Sequence, residues 1–141
     1  MFDRYSERAK RVIFFARYET SEFGSPVIDT EHLLLGILRE SQDLLVSVAG
    51  PAAVETVKER IGQQSPIRDK IPTSVDLPFS DASKSALLFA AEEADRLKKQ
   101  TISPRHILLG LLRLENCLAQ KILEGLGVTL EAVRHNADRF D

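Results

Sequence analysis

A chain of 141 residues is long enough for one domain with a sizeable core, since a domain of this size buries roughly two-thirds of the surface that its unfolded chain exposes. Its composition, 43% hydrophobic and 28% charged residues, is typical of a globular protein and excludes a disordered one. The formal net charge of −2 argues against a general nucleic-acid-binding protein, which needs clustered cations to displace counterions from phosphates.

The amino-terminal residues and the cysteine content favour a cytoplasmic location. Asp3 and Arg4 interrupt any stretch that could serve as a signal peptide, and the longest apolar run, HLLLGIL, is too short to cross a bilayer, so we expect no membrane contact. Cys117 has no second cysteine with which to form an internal disulfide bond, so nothing requires an oxidising compartment. Its apolar surroundings predict a buried, unreactive thiol.

The amino-terminal half of the chain predicts four helices. Apolar residues recur at helical spacing between Ala9 and Phe23, and Ser6 before them is a suitable N-cap. The decapeptide TEHLLLGILR follows Asp29, a second N-cap candidate, and a Gly-Pro pair at 50–51 separates two shorter helices. The predicted helices are about 9–23, 30–39, 44–49 and 52–61.

The carboxy-terminal half has the same pattern after a stretch without helical periodicity. Residues 62–79 contain three prolines and predict a linker that lies on the surface. A helical stripe then runs from Ser83 to Leu97 after the N-cap candidate Ser80, and the decapeptide PRHILLGLLR follows Ser103. Two shorter helices are predicted over 118–124 and 130–138.

The two halves are copies of one unit. A shift of 74 positions aligns Ser6–Arg39 with Ser80–Arg113 without a gap, which indicates a structural repeat. Gly36 and Gly110 occupy equivalent positions in the two decapeptide helices, where glycine costs about 1 kcal/mol relative to alanine. We therefore expect a neighbouring helix to approach each glycine closely.

The repeat determines the predicted fold. No segment alternates at the period of two that a strand requires. The sequence predicts an all-α fold of about eight helices in two pseudo-symmetric four-helix repeats, each covering the apolar face of the other. The predicted single domain, 1–141, consists of repeat one (about 2–62), a linker (about 63–79) and repeat two (about 80–138).

Three segments carry a family resemblance: FDRYSERAKRVIFFA at the amino terminus, DTEHLLLGILRE in the first repeat and HILLGLLR in the second. They resemble the Clp repeat, the N-terminal domain of ClpA- and ClpC-type AAA+ unfoldases, over nearly the whole chain. The resemblance implies two four-helix pseudo-repeats packed into one globule. It also implies a mobile, non-enzymatic docking platform that receives substrates and adaptor proteins before the ATPase rings pull them into a protease.

The phosphate-binding sequence GxxxxGK[ST] is absent, so this chain is not expected to hydrolyse ATP, and we expect no cofactor. We expect a stand-alone docking domain, with the excised front end of a longer unfoldase as the alternative. The implied partners are Clp unfoldase or protease components, adaptor proteins or substrate polypeptides. A further alternative is an accessory subunit that binds the proteolytic core or the unfoldase and tunes its assembly.

Thr30 and Glu31 match the segment that, in some ClpC-type relatives, receives the guanidinium of a phosphorylated arginine. A carboxylate can pair bidentately with a guanidinium, and first-turn N–H groups can bind a phosphate. Glu31 could instead only complement the helix dipole. In the second repeat Arg105 stands at the equivalent position and would repel an arginine. It could suit an acidic partner, but we favour a solvated surface residue.

Phe2, Phe79 and Lys84 form another candidate site. In similar domains the N-terminal phenylalanine and the start of the second repeat share a groove used by adaptors and by peptide-like antibiotics. Phe79 precedes the N-cap Ser80, so it could be a hydrophobic staple, and structural packing is the interpretation that we favour for it. Phe2 is a candidate anchor residue.

His32 and His106 invite a metal or catalytic interpretation, but each adjoins the buried face of a helix start. No second ligand lies at suitable spacing, so we expect no metal site. Glu92 and Glu93 are about 100° apart on a helix and cannot form a catalytic dyad. The run EEADRLKK is interpreted as the solvated outer face of its helix. The sequence also contains no motif of a catalytic nucleophile, so we expect that this chain is not an enzyme.

Overall fold

The computed structural model describes residues 2–136, and these form seven helices and no strand. The helices are α1 Glu7–Phe23, α2 Thr30–Ala49, α3 Ala53–Gln64, α4 Asp81–Arg96, α5 Pro104–Leu112, α6 Leu118–Gly125 and α7 Leu130–Arg134. The predicted all-α fold of about eight helices is thereby confirmed. The predicted end of the last helix, at 138, lies outside the described residues.

Helix α2 accounts for the difference of one helix. The segments predicted as separate helices over 30–39 and 44–49 join into one, interrupted only at Ser41, where φ is −140° and ψ is 49°. Ser41 is buried, and its hydroxyl accepts a hydrogen bond of 2.8 Å from the guanidinium of Arg8 on α1. A side chain that enters the helical hydrogen-bond ladder is a common cause of a kink. A tertiary contact therefore accompanies the bend.

The two histidines of the repeat complete the starts of α2 and α5. Asp29 and Ser103 are the N-caps, as predicted. Nδ1 of His32 accepts the backbone N–H of Asp29 at 2.9 Å, and Nδ1 of His106 accepts that of Ser103 at the same distance. Each histidine thus takes the place that glutamate or glutamine holds in a capping box.

Both repeated glycines lie where two helices touch. A Cβ on Gly36 would collide with the carbonyl oxygen of Val12 in α1, and one on Gly110 with the carbonyl oxygen of Ala86 in α4. The close helix approach expected from the sequence is therefore confirmed in both repeats. It allows α1 to pack tightly on α2, and α4 on α5, without an intervening side chain.

Each repeat holds a loop of the other through main-chain hydrogen bonds. Ile28, between α1 and α2, pairs with the segment before α4, and Ile102, between α4 and α5, pairs with the segment before α1. We call these two contacts the reciprocal clasp. Its bonds are Ile28 N–H to Pro78 C=O (2.8 Å), Ser80 N–H to Ile28 C=O (3.0 Å), Ile102 N–H to Arg4 C=O (2.8 Å) and Ser6 N–H to Ile102 C=O (3.0 Å).

Residues 65–80, which we call the connector, run along the carboxyl end of α1. The backbone N–H of Arg68 donates to the carbonyl of Phe23 at 2.9 Å, and that of Ile71 donates to the carbonyl of Ser21 at 3.0 Å. Most connector side chains are exposed. Within residues 2–136, no helix combines the length and hydrophobicity that a bilayer crossing requires.

Candidate functional site

A groove of 460 Å³ lies between the amino-terminal segment and α4, so both repeats contribute to it. We call it the inter-repeat groove. Leu88 on α4 is 69% exposed at this site, so an apolar side chain faces the solvent. The lining consists of Phe2–Tyr5 from the amino-terminal segment, Lys84, Leu87, Leu88 and Ala91 from α4, and Ile102 from the clasp.

The structure places the predicted residues Phe2, Phe79 and Lys84 in one region. Phe2 and Lys84 line the inter-repeat groove, whereas Phe79 does not. The ring of Phe79 instead packs edge-on against Phe2, with ring centroids 6.2 Å apart, while its backbone takes part in the reciprocal clasp. Phe79 therefore supports the groove from outside its lining.

The amino-terminal wall of the groove is held in place by several contacts. The ring of Phe2 packs against Tyr5 with centroids 4.8 Å apart, and burial raises the pKa of the Tyr5 hydroxyl to about 12. The guanidinium of Arg4 pairs with Asp95 at 2.8 Å and donates to the carbonyl of Gln100 at 3.1 Å. The guanidinium of Arg4 is thus engaged by Asp95 and Gln100. The ammonium of Lys84 is exposed, and no described residue pairs with it.

A second cavity, of 200 Å³, lies beside Glu31 and is called here the Glu31 cavity. Asp29 and Glu31 line it from the start of α2, and Ser65 and Arg68 line it from the connector. Thr30, the other predicted residue of this site, is only 1% exposed and does not line the cavity. Two carboxylates on one wall suit a bound cation.

The carboxylate of Glu31 already has partners. Burial raises its pKa above the ordinary value, hydrogen bonds from its own backbone N–H and from Ser65 oppose the rise, and the nearby charge of Asp29 adds to it. The N–H of Thr30 donates to Oδ1 of Asp29 at 2.8 Å. First-turn N–H groups that could hold a phosphate are therefore engaged by carboxylates of the same helix start.

Arg105 is not the solvated surface residue that we expected. It is 2% exposed, and its Nη1 donates to the carbonyl of Arg134 at the end of α7 at 3.0 Å. The carbonyls of a last helical turn lack partners within the helix, and a guanidinium can satisfy them. The aliphatic stem of arginine also packs well in apolar surroundings. In the second repeat, the position equivalent to Glu31 is therefore occupied by a buried guanidinium that binds a carbonyl of the same chain.

Glu93 corrects the interpretation of EEADRLKK as a solvated face. Its side chain is fully buried, 2.8 Å from the guanidinium of Arg134 and 3.2 Å from that of Arg113. Burial alone would raise the pKa of Glu93, but the hydrogen bond and charge of Arg134 and the charge of Arg113 lower it overall. The repeat could have predicted the ion pair between Glu93 and Arg113. The shift of 74 positions maps Glu19 onto Glu93 and Arg39 onto Arg113, and Glu19 and Arg39 also form an ion pair, at 3.2 Å.

Cys117 is half-buried, whereas the sequence predicted a buried thiol. Its Sγ accepts the backbone N–H of Gln120 at 3.4 Å, so the thiol acts as the N-cap of α6. Among residues 2–136, histidines, cysteines and acidic residues nowhere gather in a group of three that could hold a metal ion.

Comparison with known proteins agrees with this architecture. Residues 78–140 match the family model described as the Clp repeat (R) N-terminal domain. The ATP-dependent Clp protease ATP-binding subunit ClpA homolog of Cyanidium caldarium is 33% identical over 141 residues, which is 99% of this chain and 16% of that protein. The chloroplastic chaperone protein ClpD2 of Oryza sativa subsp. japonica is 32% identical, over 91% of this chain and 14% of that protein.

A solved structure extends the match to three dimensions. The crystal structure of the N-terminal domain of the chaperone ClpD from Arabidopsis thaliana superimposes with a TM-score of 0.72 at 29% identity, covering 95% of this chain and 92% of that one. The chain spans only a small part of the curated relatives, 16% of the Cyanidium protein. Both repeats are nevertheless within the matched region. The chain belongs to the Clp repeat N-terminal domain family.

Proposed function

We propose that this chain is a non-enzymatic module that docks substrate polypeptides or adaptor proteins for a Clp-type unfoldase or protease. The main support is the inter-repeat groove, which is open to solvent, largely apolar and pre-formed. Its volume of 460 Å³ lies in the range of roughly 300–1,000 Å³ that is typical of ligand sites. The names of its relatives, Clp chaperones and ATP-binding subunits of Clp proteases, point to the same type of assembly.

The lining indicates what the groove would recognise. Phe2 and Leu88 offer apolar surface to an anchor side chain of a bound segment, which is the arrangement of many interface hot spots. Lys84 adds an available cation at the same site. A partner with a carboxylate beside its apolar anchor would therefore be steered towards the groove and oriented in it.

The test is the binding of fluorescently labelled casein, an unfolded acidic protein, followed by anisotropy. Leu88→Ser should weaken binding about tenfold, because it removes the most exposed apolar side chain of the groove. Ile67→Ser is the matched control, since Ile67 is 73% exposed but belongs to the connector and does not line the groove. Equal affinities of both variants and the wild type would contradict the proposal.

The contribution of Lys84 can be measured separately. Lys84→Gln should lower the affinity for casein at low ionic strength and reduce the dependence of that affinity on salt. Lys58→Gln, on the exposed face of α3, is the control for a general loss of positive charge. An identical salt dependence in the two variants would assign no role to Lys84.

An accessory subunit that tunes the assembly of a Clp complex is the alternative. Such a subunit would co-elute with the unfoldase or the peptidase in size-exclusion chromatography and would show no affinity for casein. Either function is compatible with the predicted cytoplasmic location, which stays a prediction because the relatives include proteins named as chloroplastic.

We further propose that the Glu31 cavity is a site for an arginine or phosphoarginine side chain, restricted to the first repeat. The neighbouring carboxylates of Asp29 and Glu31 support a cationic ligand, Arg68 in the same lining supports a phosphate on it, and the buried Arg105 supports the restriction. Calorimetric titration with free phosphoarginine and with arginine should show binding that Glu31→Ala abolishes. Binding that survives this substitution would remove the assignment, and tighter binding of plain arginine would exclude a contribution from the phosphate.

A further inference from the structure

The hydroxyl of Ser65 contacts the carboxylate of Glu31 from the connector side of the Glu31 cavity. Oγ of Ser65 lies 2.8 Å from Oε2 of Glu31, although the two residues are 34 positions apart in the chain. Ser65 is 7% exposed and Glu31 is half-buried, so the bond is shielded from most of the solvent. The contact joins the two walls of the cavity, one from the start of α2 and one from the connector.

The backbone of Ser65 is restrained on both sides. Its N–H donates to the carbonyl of Ile61 at 2.8 Å and so continues the last turn of α3. Pro66 follows, and a residue before proline is restricted to extended backbone, which is the conformation of Ser65 (φ −92°, ψ 128°). Little more than the rotation of its side chain has to be ordered, so the hydroxyl is held at the carboxylate at a small cost in entropy.

The bond with Ser65 leaves part of the Glu31 carboxylate open to a ligand. Within the described part of the chain, its donors are the hydroxyl of Ser65 and the backbone N–H of Glu31 itself. An ionised carboxylate offers about four lone-pair positions, so roughly two remain. A guanidinium needs this number to form two parallel hydrogen bonds with a carboxylate.

The other titratable groups that line the cavity are Asp29, His32 and Arg68. Burial lowers the pKa of His32 to about 4, so its imidazole is neutral near pH 7. Burial raises the pKa of Glu31, whereas the hydrogen bonds from its own N–H and from Ser65 lower it, and the charge of Asp29 raises it. The hydroxyl of Ser65 thus favours the ionised form of Glu31, which is the form that pairs with a guanidinium.

We propose that Ser65 is a positioning residue of the Glu31 cavity: its hydroxyl holds the carboxylate of Glu31 in the orientation in which a guanidinium pairs with it. Without the hydroxyl, the carboxylate rotates more freely and the bidentate geometry has to be ordered when the ligand binds. This inference rests on the proposed arginine site, and it adds a residue of the connector to that site.

The experiment is a calorimetric titration of the chain with free arginine. Ser65→Ala should weaken binding about fivefold at neutral pH, and Ser65→Thr, which keeps the hydroxyl, should restore the affinity. Ser25→Ala is the matched control, because Ser25 lies at the same cavity but its hydroxyl donates to the carbonyl of Val27 at 2.7 Å. The affinity of this control should equal that of the wild type.

The dependence of binding on pH separates positioning from a purely structural role. Wild-type affinity should rise with pH until Glu31 is ionised, because only the carboxylate pairs with a guanidinium. Ser65→Ala should need a higher pH to reach its plateau, since it removes a hydrogen bond that lowers the pKa of Glu31. An NMR titration of the Glu31 carboxyl carbon should show the same upward shift of the pKa without any ligand.

Equal affinities of wild type and Ser65→Ala would overturn the proposal, and so would equal pKa values of Glu31 in the two proteins. A matching loss of affinity in Ser25→Ala would also overturn it, because any change in the cavity would then weaken binding. The role of Ser65 can fail while the site stands: Glu31→Ala would then abolish binding, and Ser65→Ala would leave it unchanged. Binding that neither substitution alters would remove the arginine site together with the role of Ser65.

Discussion

The hydroxyl of Ser65 donates a hydrogen bond of 2.8 Å to Oε2 of Glu31 and so joins the connector to the first turn of α2. One side of the carboxylate that faces the Glu31 cavity is therefore already held by the connector. The connector also lines a cavity of 340 Å³ beside α1 through Lys70–Thr73. One segment of chain thus contributes to two cavities.

Glu31→Gln should remove a pH dependence from the free energy of unfolding. Because the pKa of Glu31 is raised in the folded protein, its stabilising contribution is fully present below the unfolded-state pKa of about 4.3 and is lost as the pH rises through the folded-state pKa. Urea unfolding should show that Glu31→Gln gains stability relative to wild type between pH 3 and pH 7. A constant difference across this range would contradict the raised pKa.

Glu93→Gln should destabilise the protein by about 3–5 kcal/mol, because it removes the buried carboxylate between Arg113 and Arg134. Glu19→Gln is the matched control at the equivalent position of the first repeat. Glu19 is less buried and, among residues 2–136, forms an ion pair with Arg39 alone, so its loss should cost about 1 kcal/mol or less. Chemical denaturation measures both values, and equal losses would show that burial is not the cause.

The same carboxylate should make the protein sensitive to acid. The pKa of Glu93 is lowered in the folded state, so its stabilising contribution is present above the unfolded-state pKa and is lost as the pH falls through the folded-state pKa. Wild type and Glu93→Gln should therefore approach each other in stability as the solution is acidified.

Gly110→Ala should cost about 1–3 kcal/mol, because the added methyl group would collide with the carbonyl of Ala86 and push α4 away from α5. Gly62→Ala is the control. Gly62 lies in α3 with nothing within 4 Å of an added Cβ, so the substitution should stabilise the protein by about 0.5–1 kcal/mol. Thermal unfolding should move the two melting temperatures in opposite directions.

Ser21→Ala should raise the free energy of unfolding by about 1 kcal/mol, because it removes a buried hydroxyl that has no partner among the described residues. Thr20→Val, at the neighbouring buried position, should lower it by about 1 kcal/mol, since the Thr20 hydroxyl donates to the carbonyl of Ala16 at 2.7 Å. Differential scanning calorimetry compares the two. A loss of stability in Ser21→Ala would mean that the hydroxyl has a partner in solution.

The parts of the fold that depend on local spacing were predictable from the sequence. Helix periodicity and N-cap residues located the helices, and the repeated glycines indicated the close approach of α1 to α2 and of α4 to α5. The exception is Ser41. Its kink is accompanied by a hydrogen bond with Arg8, 33 positions away, which no local pattern contains, so one helix was predicted as two.

The candidate site was predictable only in part. Phe2, Phe79 and Lys84 were found together through the family resemblance, because nothing in their local spacing links the amino terminus to α4. Arg105 and Glu93 were misjudged, since their burial depends on α7 packing against them from 29 and 41 positions away. A charged residue is usually exposed, and only its tertiary partners reverse that expectation.

The reciprocal clasp has a consequence for how such a protein could have arisen. The loop before α2 pairs with the segment before α4, and the loop before α5 pairs with the segment before α1. Two identical subunits that exchange such segments about a two-fold axis have the same geometry. In a single unit those main-chain groups would need water or a second molecule as their partner, whereas in the duplicated chain each half supplies the partner of the other. The halves have diverged elsewhere, one with a glutamate where the other carries a buried arginine.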